Sequence, residues 1–140
     1  MSIVRQIGKL LENLFLKLHF DTKEEILDFM IKKLEAENAV KPGFRKSVYK
    51  REKIGSTLLE NGVAIPHGMP TEVNKTSIVV ATLENPVKWS SHWADLIILL
   101  AVPENNANEF ESMIIELYSL ISNTEIIKTI KNAVHVDELL

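Results

Sequence analysis

The chain has 140 residues, 46% of them hydrophobic and 25% charged, a balance that fits one domain around one buried core rather than a disordered or fibrous chain. Its formal net charge of -3, with the cations between Lys41 and Lys53 read as a solvated helical face, argues against a nucleic-acid footprint. Cysteine is absent, which excludes disulfides and thiolate metal sites, and neither a secretory pattern nor a bilayer-length apolar run occurs, so a cytoplasmic protein with no membrane insertion is expected.

In chain order, Ile3, Val4, Ile7, Leu10 and Leu11 recur at helical spacing and predict a short amphipathic helix, weakened by Gly8. Leu14, Leu16, Leu18 and Phe20 then alternate with Phe15, Lys17 and His19, the period of a strand with one face better buried than the other. Asp21-Thr22-Lys23-Glu24-Glu25 reads as a cap followed by first-turn acids, which predicts a helix over residues 22–37 with Ile26, Leu27, Met30, Ile31 and Leu34 as its apolar stripe. Lys41-Pro42-Gly43 breaks that pattern before a second helical piece through Phe44, Val48 and Tyr49.

The middle changes character. Val63-Ala64-Ile65, residues 77–82 and residues 96–102 are short β-branched or aliphatic runs between Gly, Pro and Asn, and read as strands. Trp89 and Trp93 read as part of a loop covering the sheet edge. Phe110, Met113, Ile114, Leu117, Leu120 and Ile121, then Ile126, Ile127 and Ile130 after Asn123-Thr124, return to helical spacing. Helices interspersed with strands, one strand apolar at nearly every position, predict an α/β three-layer sandwich. Its sheet is mostly parallel or mixed, of about four to five strands, with helices on both faces of a single domain over residues 1–140.

Chemistry concentrates in Arg51-Glu52-Lys53-Ile54-Gly55-Ser56-Thr57 and Gly62-Val63-Ala64-Ile65-Pro66-His67-Gly68. A histidine between proline and glycine just after a short strand sits where the chain leaves the sheet; Pro66 restricts one neighbour, and Gly68 permits close approach or positive φ at the other. Imidazole, with an ordinary pKa of about 6.5, offers a free nitrogen lone pair near neutral pH and suits reversible phosphoryl transfer. A phosphoryl group would add about -1.5 to -2 charges, for which Arg51 offers a forked guanidinium and Thr57 a hydroxyl. Alone, Arg51 reads as a surface cation and Thr57 as a helix or turn cap. His19, His92 and His135 lack metal-ligand spacing with one another or with acids, so neither a metal nor another cofactor is expected.

Arg51-Glu52, Gly55-Ser56-Thr57 and above all Ala64-Ile65-Pro66-His67-Gly68 resemble the enzyme IIA domain of the fructose/mannitol type in the bacterial phosphoenolpyruvate-dependent sugar phosphotransferase system. The likeness extends in order through Asp21-Thr22-Lys23-Glu24-Glu25, Pro86-Val87-Lys88-Trp89 and Leu99-Leu100-Ala101-Val102-Pro103. It implies that His67 accepts phosphate from the small carrier protein HPr and donates it to a cysteine of a IIB domain of a sugar permease, with Arg51 as active-site arginine. It also implies a second histidine at the start of the helix after the Ala-Val-Pro strand end. Phe110 stands there, with Glu109 as a near-register carboxylate, so a regulatory IIA-like module of a sugar-operon transcriptional regulator is the alternative.

Overall fold

Side-chain chemistry sets each element of the computed structural model, which describes residues 10–139. The expected amino-terminal helix falls largely outside them; Leu10–Asn13 forms a 3-10 turn. β1 (Leu14–Leu18) is half-buried along its whole length, not on one face only. Leu14 and Leu16 pack into one apolar core while Phe15 and Leu18 pack into another, so layers on both sides of the sheet erase the buried and exposed alternation. α1 (Lys23–Ala36) starts at a reciprocal capping box: Glu25 N–H donates to the Thr22 hydroxyl oxygen, and the Thr22 amide donates to the Glu25 carboxylate. After Pro42-Gly43, α2 (Phe44–Ile54) turns Phe44 and Val48 inward.

β2 is short (Val63–Ala64), whereas β3 (Ser77–Trp89) and β4 (His92–Ala101) form a long antiparallel hairpin. The two strands expected over residues 77–82 and 96–102 therefore extend toward each other, and Trp89 and Trp93 lie in strands rather than in a loop. Trp89 is fully buried and Trp93 is exposed. Pro86 is accommodated because the ladder is irregular between Thr82 and Val87, where a missing amide costs no regular hydrogen bond. α3 (Ala107–Ile121) and α4 (Thr124–Asn132) complete the helices, the latter capped by the Asn123 side chain accepting from Ile126 N–H.

The sheet has four strands in the order β1-β3-β4-β2, with β1 parallel to β3, β3 antiparallel to β4, and β4 parallel to β2. On one face Val79, Ala81, Ile97 and Leu99 meet Ile26, Met30, Ile31 and Phe44 of α1 and α2. On the other, Ile78, Val80, Ile98 and Leu100 meet Met113, Leu117, Ile127 and Ile130 of α3 and α4. Burial on both faces is why residues 96–102 are apolar without alternation, and each fully buried Leu or Ile contributes about 1.5–3 kcal/mol. No helix among the described residues is long and apolar enough to cross a membrane.

Candidate functional site

His67 continues the line of β2. The parallel register that pairs Val63 with Leu96 and Ala64 with Ile97 carries on to a bridge between His67 and Leu100, sealed by Leu100 N–H donating to Pro66 O at 3.0 Å. The imidazole thus stands at the carboxyl ends of the parallel pair β2 and β4, the side on which open α/β sheets present their binding crevices. The ring is half-buried.

Its tautomer follows from one hydrogen bond. His67 Nδ1 lies 3.0 Å from Ile65 O. A carbonyl only accepts, so Nδ1 carries the proton and donates, which leaves the lone pair on Nε2.

Gly68 is required by close approach rather than by positive φ. A Cβ there would stand 2.6 Å from Ser47 Oγ and 2.7 Å from Phe44 Cε1, inside van der Waals contact. Ser47 then fastens the loop: its hydroxyl accepts from Met69 N–H at 2.9 Å and donates to Phe44 O at 2.7 Å. The segment after His67 is therefore pressed onto α2.

Phe110, in the first turns of α3, meets His67 edge to face, with ring centroids 6.1 Å apart and an interplanar angle of 61°. Phe110 thus stands beside His67 and presents a hydrocarbon edge with no N–H to donate. The near-register carboxylate is engaged elsewhere: Glu109 Oε2 accepts from the Thr76 hydroxyl at 3.2 Å.

Arg51 and Thr57 are placed differently. Arg51 is half-buried in the last turn of α2, and its Nη1 donates to Gly55 O at 2.8 Å; no hydrogen bond joins it to His67 among the described residues. Thr57 is buried, and its hydroxyl donates to Glu52 Oε2, turned away from solvent. Its backbone does reach the site, because Thr57 O accepts from Ile65 N–H at 3.0 Å and the next residue, Leu58, bridges Ala64.

The roles of three participants escaped the sequence reading: Ser47, the Ile65 carbonyl and Glu52. Backbone acceptors and a helix serine carry no periodic signal. Glu52 does carry one, since positions 44, 48 and 52 share the spacing of one helix face and put a carboxylate on the buried side of α2. Among the described residues no group of three or more His, Asp or Glu is arranged to hold a metal ion. His19, His92 and His135 are exposed.

Fold and site together define an α/β sandwich that presents one oriented imidazole at the carboxyl end of its sheet. The family model for the phosphoenolpyruvate-dependent sugar phosphotransferase system, EIIA 2, matches residues 10–140, and the chain belongs to that family, a phosphotransferase component. The chain is 33% identical over 134 residues, 91% of its length, to the PTS system 2-O-alpha-mannosyl-D-glycerate-specific EIIABC component of Escherichia coli (strain K12). It is 29% identical over 112 residues, 80% of its length, to the probable licABCH operon regulator of Bacillus subtilis (strain 168). It spans about a fifth of the length of these curated relatives, 20% and 18%. Among solved structures it resembles a chain of the complex of enzyme IIAMTL and phosphorylated enzyme IIBMTL from Escherichia coli. The TM-score is 0.81 at 27% identity, covering 92% of each chain.

Proposed function

We propose that residues 1–140 act in the cytoplasm as a single IIA domain that takes a phosphoryl group from the phosphohistidine of HPr onto His67 Nε2 and passes it to a cysteine of a IIB domain in sugar uptake. The observation that carries this reading is the Nδ1–H bond to Ile65 O, which leaves Nε2 as the free lone pair of a ring held at the sheet's end. In loading, the N–P bond of the donor breaks as the bond to Nε2 forms. In delivery, the bond to Nε2 breaks as the cysteine thiolate takes the phosphorus, and Nε2 recovers its lone pair. Arg51 is assigned as the phosphate clamp: a guanidinium has five N–H donors, and Gly55 O engages one nitrogen. Gly68 and Thr57 support the site by packing and anchoring the flanking loops. The IIB partner is supported by the solved relative, which is a complex of IIA with phosphorylated IIB.

A second reading has its own observation. Phe110 gives a phosphoryl group on Nε2 no second donor, and one relative is an operon regulator, so the domain would load as a signal and deliver little.

Incubation with phosphoenolpyruvate, enzyme I and HPr, then mass mapping of acid-labile, base-stable phosphate, tests both readings. Stoichiometric phosphate on His67 that vanishes in His67→Ala is expected; absence of label, or equal label in the variant, refutes the assignment. Addition of candidate IIB domains then separates carriers, which unload, from sensors, which stay loaded.

A further inference from the structure

A buried polar knot centred on Glu52 adjoins the backbone that leads to His67. The Glu52 side chain is 4% exposed, yet both carboxylate oxygens are occupied. Oε2 accepts from the Thr57 hydroxyl. Oε1 accepts from Trp89 Nε1–H at 3.2 Å and from Lys23 Nζ at 2.7 Å. Lys23 is itself 16% exposed and lies 4.9 Å from the Trp89 ring centroid, a cation over a π face. One carboxylate therefore ties together the first turn of α1, the last turns of α2, the end of β3 and the loop entering β2.

A buried charge is retained at a cost unless its geometry does something for the protein, since apolar residues of similar volume often stabilise as well or better. Here the geometry leads to the site. Thr57, held by its hydroxyl, offers its carbonyl to Ile65 N–H at 3.0 Å, and the Ile65 carbonyl takes the His67 Nδ1 proton at 3.0 Å. The Ile65 carbonyl, on the peptide bond to Pro66, decides which ring nitrogen is protonated. The Thr57 carbonyl holds the amide side of the same residue, and Glu52 holds the Thr57 hydroxyl. Arg51 adjoins Glu52 on the same helical turn, so the anchor that fixes the ring also fixes the origin of the guanidinium.

We infer that Glu52 is the positioning residue for phosphoryl transfer at His67, acting through Thr57 and the backbone of Ile65, whose N–H meets Thr57 and whose carbonyl meets the ring, to hold the imidazole as its Nδ1–H tautomer with Nε2 free. The inference rests on His67 being the phosphoryl acceptor, but its first readout does not require transfer. Nitrogen-15 chemical shifts of the His67 ring report the tautomer in the unphosphorylated chain.

Three variants separate positioning from bulk stability. Glu52→Leu keeps the side chain large and apolar but removes all three contacts. Thr57→Val deletes a single hydroxyl at nearly constant shape. Glu52→Gln retains the full set, since its amide oxygen can replace Oε1 toward Trp89 and Lys23 while its NH2 donates to the Thr57 hydroxyl oxygen. In Glu52→Leu and Thr57→Val, His67 should populate the Nδ1–H tautomer less, and kcat for loading from phospho-HPr should fall on the order of tenfold, the expected scale of a small misplacement of a reacting group. KM should hold, because the Glu52 carboxylate is buried within the fold. Glu52→Gln should restore both readouts to within about threefold. If Glu52→Leu fails to fold, Thr57→Val decides alone. An unchanged tautomer in folded Thr57→Val overturns the inference, as does a loss in Glu52→Gln equal to that in Glu52→Leu. If wild type takes no phosphate on His67, the carrier reading fails, while the tautomer experiment still tests the link from Glu52 to the ring.

Discussion

The hairpin of β3 and β4 and the strand that carries His67 solve opposite problems with the same sheet. β3 runs 13 residues and β4 10, paired along most of their length and buried over residues 78–83 and 96–101, whereas β2 has 2 residues. Beyond β2 the chain is held less by ladder hydrogen bonds than by single contacts: one bridge to Leu100, one serine, one phenylalanine edge and one carbonyl. Stability is concentrated where the ladder is long. The proposed chemistry sits where it is nearly exhausted, because a nucleophile needs a free nitrogen and an approach path that a continuous strand would close.

Ile97→Ala attacks the first region and should have the largest energetic effect. Ile97 is fully buried at the sheet centre between Ala81 and Ala64, and truncation there should cost about 2–5 kcal/mol of unfolding free energy in a urea titration. The folded fraction should still load phosphate on His67. If its loading rate collapses, the division between scaffold and site is wrong.

Gly68→Ala attacks the second region. The added methyl must displace Ser47 or Phe44, and overpacking of this kind costs roughly 1–3 kcal/mol. The loop is the cheapest element to move, so the imidazole should shift and the loading rate should fall by more than about tenfold, a larger functional than thermodynamic loss. Equal and small changes in both would show that the loop tolerates displacement and that the close contact serves packing alone.

Phe110→His sharpens the comparison from the other side of the ring. A histidine at that position brings an N–H donor within reach of a phosphoryl group on Nε2, and one hydrogen bond to a charged group is worth about 1.5 kcal/mol, or about tenfold in transfer rate. Faster delivery to a IIB domain, with loading changed less, would mark the native phenylalanine as the brake. No change in either rate would assign Phe110 to packing against the helix layer.

The same division governs how much of the molecule was legible in the sequence. The Thr22 and Glu25 pair, the Pro42-Gly43 break and the Asn123 cap announced their helices because capping chemistry is local. Pro66-His67-Gly68 pointed to the candidate site because proline restricts the backbone on one side of the imidazole and glycine frees it on the other. The hairpin's reach was hidden, since Glu84-Asn85-Pro86 carries every local mark of a turn while tertiary pairing draws it into an irregular ladder. Glu52 was half legible: the spacing of positions 44, 48 and 52 puts it on the buried face of α2, but its partners Trp89 and Lys23 arrive from other elements, and the Thr57 hydroxyl read as a phosphate donor or cap turns to Glu52 instead.

The smallest expected effect concerns the pin that holds α2, the helix on which the His67 loop rests, against α1. Asp28 accepts from Arg45 Nη1 at 2.7 Å and pairs with Lys32 Nζ at 3.0 Å, while Arg45 Nη2 reaches Glu35 at 2.9 Å. Hydrogen bonding from Lys32 first, and then from Arg45, holds the Asp28 carboxyl below its ordinary value of 3.8. A carboxylate whose folded pKa is depressed stabilises the fold fully above its unfolded pKa, and that contribution is lost as pH falls through the lower folded value. Asp28→Asn should therefore lower the urea midpoint slightly at pH 6, with the difference from wild type fading as the pH drops below 3.8. The pair is exposed enough for salt to screen it, so the difference at pH 6 should also shrink at high ionic strength. Phosphate loading should be unchanged, because the close contacts of Phe44 and Ser47 with Gly68 hold the loop even when one surface pin of the helix is removed. A parallel loss of loading would instead extend the site's dependence on single contacts outward to the face of α1.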